Sequence, residues 1–194
     1  MQSGAAACRT LCNPDNEVSA HYLIDRDGTL RSLVAEDMRA WHAGAGCWHD
    51  ITDVNSHSIG IELDNDGYSP FSAPLMDTLT TLLPQIMQRW GIPARGVIGH
   101  SDMAPGRKID PGARFDWQRL ARLGLCRMPE PQTADVDETR FVADMQRAGF
   151  TATDDPSLLL HAFRLRFAPQ RIGPLCPQDM GEVASLLDAP TPNT

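Results

Sequence analysis

The stretch SAHYLIDRDGTLRSLV, residues 19–34, alternates apolar and polar side chains, breaks at Asp27-Gly28, and alternates again. An Asp-Gly pair between two apolar runs is a strong hairpin signal. A third apolar run of strand length, HSIGIELD, follows at 57–64. Residues 73–90 then place Leu75, Leu79, Leu82, Leu83, Ile86, Met87 and Trp90 at helical spacing, and Gly91 and Pro93 stop the pattern. RGVIGH (95–100) predicts a short buried strand with His100 at its end. Residues 4–12 and 116–125 predict two shorter helices. Strands and helices that alternate without a strict βαβ repeat predict an α/β fold, a mixed central β-sheet flanked by helices.

Residues 127–137, RMPEPQTADVD, carry two prolines and three acidic groups, and predict a linker. It divides a larger domain, 1–126, from a small three-helix C-terminal module, 138–190. The module's apolar positions cluster at 141–145, 158–167 and 180–187. It lies near the lower size limit for an independent core.

The composition, 42% hydrophobic and 22% charged in 194 residues, is globular. No apolar run approaches the roughly 18 residues of a membrane span. A net charge of −8 argues against nucleic acid as a partner, because phosphate binding needs a basic face. A monomer is expected. Cys8, Cys12, Cys47, Cys126 and Cys176 are odd in number and irregularly spaced, which suggests reduced thiols rather than a disulfide framework or zinc knuckle. The first residues, MQSGAAACRTLC, lack the basic start and apolar core of a signal peptide, so the chain as given reads as cytoplasmic. The cell envelope or periplasm is the alternative if a leader precedes Met1.

The chemistry concentrates in GHSDMAPGRKIDPG, residues 99–112, which holds His100, Asp102, Arg107, Lys108 and Asp110 among three glycines and two prolines. That content excludes a helix and predicts a stiffened loop built to position polar groups. His100 and Asp110 are suitable zinc ligands, and a loop histidine simply paired with an aspartate is the alternative. In an extended segment positions 108 and 110 point to one side, so the Lys108 ammonium would stand by the carboxylate and could stabilise an oxyanion. Glu62, flanked by Ile61 and Leu63, is a candidate general base: burial raises a carboxylate's pKa toward the useful range. An edge strand with Glu62 in water is the alternative. RAWHAG (39–44) sets Trp41 and His42 before a glycine, with Trp48 and His49 following, a pattern of either a saccharide groove or core.

Together, VSAHYLIDRDGTLRSLV, RAWHAG, NSHSIGIELDN and GHSDMAPGRKIDPG, in that order across about residues 17–120, resemble the type 2 zinc-dependent N-acetylmuramoyl-L-alanine amidases. That family also includes phage lysozyme-amidases and peptidoglycan recognition proteins. Residues 138–188 are similar, more weakly, to the three-helix peptidoglycan-binding module that follows some members. The resemblance implies that His100 and Asp110 are zinc ligands. It makes Glu62 the catalytic glutamate, Lys108 the partner of the tetrahedral oxyanion, and His21 structural. Trp41, His42, Asn55 and Arg107 become substrate-contact candidates. The implied function is hydrolysis of the amide between N-acetylmuramic acid and L-alanine in peptidoglycan or muropeptides. A non-catalytic peptidoglycan-binding protein is the rival reading, and a zinc peptidase acting on stem peptides a third. Relatives take a first zinc ligand from a histidine in a strand upstream of this start, so the 1–126 domain is expected to be N-terminally incomplete. Neither His42 nor His49 matches that ligand position.

Overall fold

The computed structural model describes residues 4–188. Residues 1–3 and 189–194 lie outside them, and with them the first positions of the expected 1–126 domain and the last two of the expected 138–190 module. In chain order the elements are α1 (Gly4–Leu11), β1 (Tyr22–Ile24), β2 (Leu30–Ser32), β3 (Ile61–Leu63), α2 (Ala73–Trp90), α3 (His100–Met103), α4 (Trp117–Arg122), α5 (Glu138–Arg147), α6 (Pro156–Phe167) and α7 (Pro177–Asp188). None of these helices is long and apolar enough to cross a membrane.

The hairpin forms where the sequence places it. Gly28, at φ 89°, donates its N–H to Asp25 O at 2.9 Å, and the Asp27 carboxylate accepts Thr29 N–H at 2.9 Å. β1 pairs antiparallel with β2 and parallel with β3, in the order β2-β1-β3, so the sheet is mixed. Paired residues in register share a face. Tyr22 with Ile61, and Ile24 with Leu63, therefore face α2, and all four pack on its cluster of Leu75, Leu79, Leu82 and Ile86. Leu23 turns the other way and packs under α1 with Ala7, Leu11 and Ala20. Glu62, in register with Leu23, lies on that second face. One residue of register thus decides that Glu62 avoids the α2 core.

α2 matches the predicted span. Ser72 Oγ caps its start by accepting Leu75 N–H at 3.4 Å, and Gly91, left-handed at φ 64°, closes it. Leu75 is fully buried in this core, and truncating such a leucine to alanine typically costs about 2–5 kcal/mol.

Two expectations are corrected. Residues 97–99 form no ladder with the three strands, and His100 opens α3 instead of ending a strand. Side chains take up the backbone there: Arg166 Nη2 donates to Val97 O at 3.0 Å, and Asp102 Oδ2 accepts Gly99 N–H at 2.8 Å. With its polar groups satisfied in this way, the segment has no need of a neighbouring strand. The 99–112 stretch is also not wholly irregular, since α3 makes one helical turn before Pro105 and Gly106 end it.

The three C-terminal helices enclose their own core around Phe141, Met145, Phe150, Leu159, Phe163 and Met180. Asp137 and Asp155 cap α5 and α6. The extended segment before them is held on this core: Glu130 N–H donates to Ser185 Oγ at 2.8 Å and Ala134 N–H to Pro177 O at 3.0 Å.

Candidate active site

His100 and Asp110 are locked together through the main chain, because Ser101 N–H donates to Asp110 O at 2.9 Å. Their side chains meet, with His100 Nδ1 3.0 Å from Asp110 Oδ2. On the far side of the ring, His100 Nε2 lies 2.7 Å from Ala43 O. A carbonyl only accepts, so this contact is a hydrogen bond when Nε2 carries the proton. In the neutral ring Nδ1 then presents a lone pair to a carboxylate oxygen. Two acceptors at that distance repel unless a cation lies with them, either a proton on Nδ1 or a metal ion. Atoms bound to one tetrahedral zinc at ~2.1 Å sit ~3.4 Å apart, so this pair fits two positions of such a site. The carbonyl behind the histidine is the usual device that orients a ligating imidazole. Among the described residues no third His, Cys, Asp or Glu joins them.

Asp110 is half-exposed, and desolvation alone would raise its pKa. The His100 hydrogen bond and charge outweigh that and hold the carboxyl below its ordinary value. Glu62 behaves oppositely. Burial and then the Asp110 charge raise its pKa, against the opposing charges of His100 and Lys108. These four groups, drawn from β3 and the 99–112 segment, are therefore within electrostatic reach of one another. Among the predicted residues, His100 and Asp110 are in contact, and the charges of Glu62 and Lys108 are felt at this pair.

The remaining candidates are placed differently. Asn55, buried, accepts His42 N–H at 3.0 Å and Ala43 N–H at 2.8 Å on its side-chain oxygen. Arg107 Nη2 donates to Ala43 O at 2.7 Å. Both side chains hold the strand of backbone that supports His100. His42 is half-buried, edge-on to His21 with ring centroids 5.5 Å apart. Its Nε2 has no hydrogen-bond partner among the described residues. Burial, then the charges of His21 and His100, lower its pKa to about 4, so it is neutral at pH 7. Gly60 lies directly beneath this ring, where any Cβ would collide with it. His21 is fully engaged: Gly60 N–H donates to its Nδ1 at 3.0 Å, and its Nε2 donates to Met38 O at 3.0 Å. Trp41 is exposed under the Arg39 guanidinium, 4.8 Å away, and lines a shallow hollow with Leu11, Pro14 and Val18. Trp48 and His49 belong to packing, since Trp48 meets Phe150 edge-on at 5.2 Å and His49 N–H donates to Gly149 O. Sequence reasoning missed Arg166, which lies against this loop from α6 and carries no local signal of doing so.

Comparison with known proteins places the chain in a family. Residues 1–113 match the family model described as N-acetylmuramoyl-L-alanine amidase. N-acetylmuramoyl-L-alanine amidase AmiD of Escherichia coli is 33% identical over 187 residues, covering 80% of this chain and 68% of AmiD. 1,6-anhydro-N-acetylmuramyl-L-alanine amidase AmpD of Enterobacter cloacae is 40% identical over 103 residues, covering 53% of this chain and 55% of AmpD. The structure of E. coli AmiD with anhydro-N-acetylmuramic acid-L-Ala-D-gamma-Glu-L-Lys superposes with a TM-score of 0.87 at 28% identity, over 95% of this chain and 84% of that one.

Proposed function

This chain belongs to the N-acetylmuramoyl-L-alanine amidase family, and from that premise we propose that it hydrolyses the amide joining N-acetylmuramic acid to L-alanine. The observation that carries the proposal is the His100–Asp110 pair, 3.0 Å apart, coupled by charge to the buried Glu62. Glu62 accepts a proton from the attacking water and returns it to the departing L-alanine amine, a role suited to a carboxylate whose pKa burial has raised. The Lys108 ammonium stabilises the negative charge that develops on the carbonyl oxygen. His100 and Asp110 would hold zinc, which when bound would supply Lewis-acid activation of water and carbonyl. Asn55 and Arg107 fix the backbone that aims His100, while His42 and Trp41 are the substrate-contact candidates.

The substrate class is the soluble anhydro-muropeptide, supported by the ligand named in the AmiD complex and by the AmpD relative's name. Catalysis is assigned to the part preceding residue 127, and residues 138–188 form the accompanying helical module. Incubation of the chain and excess zinc with an anhydro-muramyl tripeptide, followed by mass spectrometry, tests the proposal. Free anhydro-N-acetylmuramic acid and free peptide are expected, formed about 10²–10⁴-fold more slowly with Glu62→Gln.

A further inference from the structure

Asp102 and Arg166 form an ion pair that joins the segment carrying His100 to α6, 64 residues later. Asp102 is fully buried and the Arg166 side chain is 4% exposed. The Asp102 oxygen that pairs with Arg166 Nη1 also accepts Gly99 N–H at 2.8 Å. The other arm of the guanidinium, Nη2, donates to Val97 O at 3.0 Å. Its flat face covers the Trp117 ring, 4.2 Å from the centroid. A Cβ on Gly99 would stand 2.8 Å from Pro111 Cδ and 3.3 Å from Trp117, so the chain passes here with no room to shift. One planar cation therefore grips the backbone at Val97 and, through Asp102, on both sides of His100.

As a stability device such a pair is weak, because desolvation of both charges offsets their attraction. Its placement points elsewhere. A lysine in the same position would supply the charge as a single point, whereas only the guanidinium fork reaches Val97 O and Asp102 together. We propose that Arg166 is a positioning residue for the candidate active site, setting the path of the chain into α3 and hence the direction of the His100 imidazole. The kinetic part of this proposal rests on the hydrolytic reading above; the geometric part does not. On this account the C-terminal helices help to build the reaction site and do more than add a separate binding unit.

The test uses the full chain with Arg166→Lys and with the charge-neutral pair Asp102→Asn/Arg166→Met. The neutral pair leaves no uncompensated buried charge, so it retains the fold if the lysine variant does not. In histidine-labelled protein the ring signals are followed by NMR, with His100 assigned from its alanine variant and exposed His57 as the comparison signal. The expected result is that the His100 signal moves or splits while that of His57 stays in place. With anhydro-muropeptide, kcat falls on the order of 10–100-fold, as for other partners behind a ligating group, with KM little changed. A lowered melting temperature with His100 unmoved would overturn the proposal and leave Arg166 a purely structural residue. If wild-type protein cleaves nothing but the His100 signal still responds, the hydrolytic reading fails and the positioning role stands.

Discussion

The imidazole of His100 spans two acceptors, with Nδ1 3.0 Å from the Asp110 carboxylate and Nε2 2.7 Å from Ala43 O. A cation, a proton on Nδ1 or a metal ion, lets Nδ1 and the carboxylate stand at that distance. Zinc titration by calorimetry is therefore expected to weaken with either His100→Ala or Asp110→Ala. Each loss should exceed the ~10–100-fold typical of losing a hydrogen-bond partner behind a ligand. Lys108→Ala should leave zinc affinity unchanged or slightly raised, since it removes a competing positive charge, while slowing hydrolysis. Zinc affinity that collapses with Lys108→Ala and survives Asp110→Ala would reverse the assignment.

Glu62→Gln keeps the shape of the side chain and removes its basicity. Its face of β3 is set by register with Leu23, so the sheet should be untouched. Turnover should fall about 10²–10⁴-fold with an unchanged melting temperature. Near wild-type turnover would remove Glu62 from the reaction.

Asn55→Ala strands the amide hydrogens of His42 and Ala43 in a buried position. The expected cost is about 2 kcal/mol or more, measured by denaturant unfolding, because each unsatisfied buried donor costs roughly 1–3 kcal/mol. Asn55→Asp keeps the accepting oxygen and should lose much less. Equal losses in the two variants would show that shape, not the accepted hydrogen bonds, is what matters there.

How much of this was legible beforehand varies with the range of the interaction. The hairpin at Asp27-Gly28 and the span of α2 follow from periodicity and turn chemistry within a few residues, and both match. The grouping of Glu62 with His100, Lys108 and Asp110 came from a resemblance spanning four separated motifs, and the electrostatic coupling of these groups is consistent with it. The strand expected at 95–100 failed for a long-range reason. An arginine 69 residues away takes up Val97 O, and no local window of sequence contains that partner. Asn55 and Arg107 are substrate-contact candidates by the resemblance, but no window of sequence shows that both side chains hydrogen-bond the backbone around Ala43.

The C-terminal helices should show a distinct acid limit. Burial alone would raise the Asp179 pKa, but Arg164 at 2.5 Å and Arg171 at 2.7 Å outweigh it and hold the carboxyl at about 2. A carboxylate depressed in the folded state stabilises above its unfolded pKa, near pH 4, and loses that contribution as the pH falls toward 2. The contribution at pH 7 is about 2 kcal/mol. Asp179→Asn should lower stability at pH 7 and flatten its fall between pH 4 and 2, followed by unfolding of the full chain. An acid profile identical to wild type would contradict this account of the Arg164–Asp179–Arg171 cluster.

The central claim is that Glu62, His100, Lys108 and Asp110 together cleave one particular bond. Mass spectrometry of anhydro-N-acetylmuramyl-L-Ala-D-γ-Glu-L-Lys after incubation with the chain and excess zinc tests it most directly. The account predicts two products, anhydro-N-acetylmuramic acid and the intact tripeptide, with one solvent oxygen from H₂¹⁸O in the new carboxyl group of the sugar. A substrate that is bound but never cut, or cleavage within the peptide instead of at the lactyl–alanine amide, would contradict it.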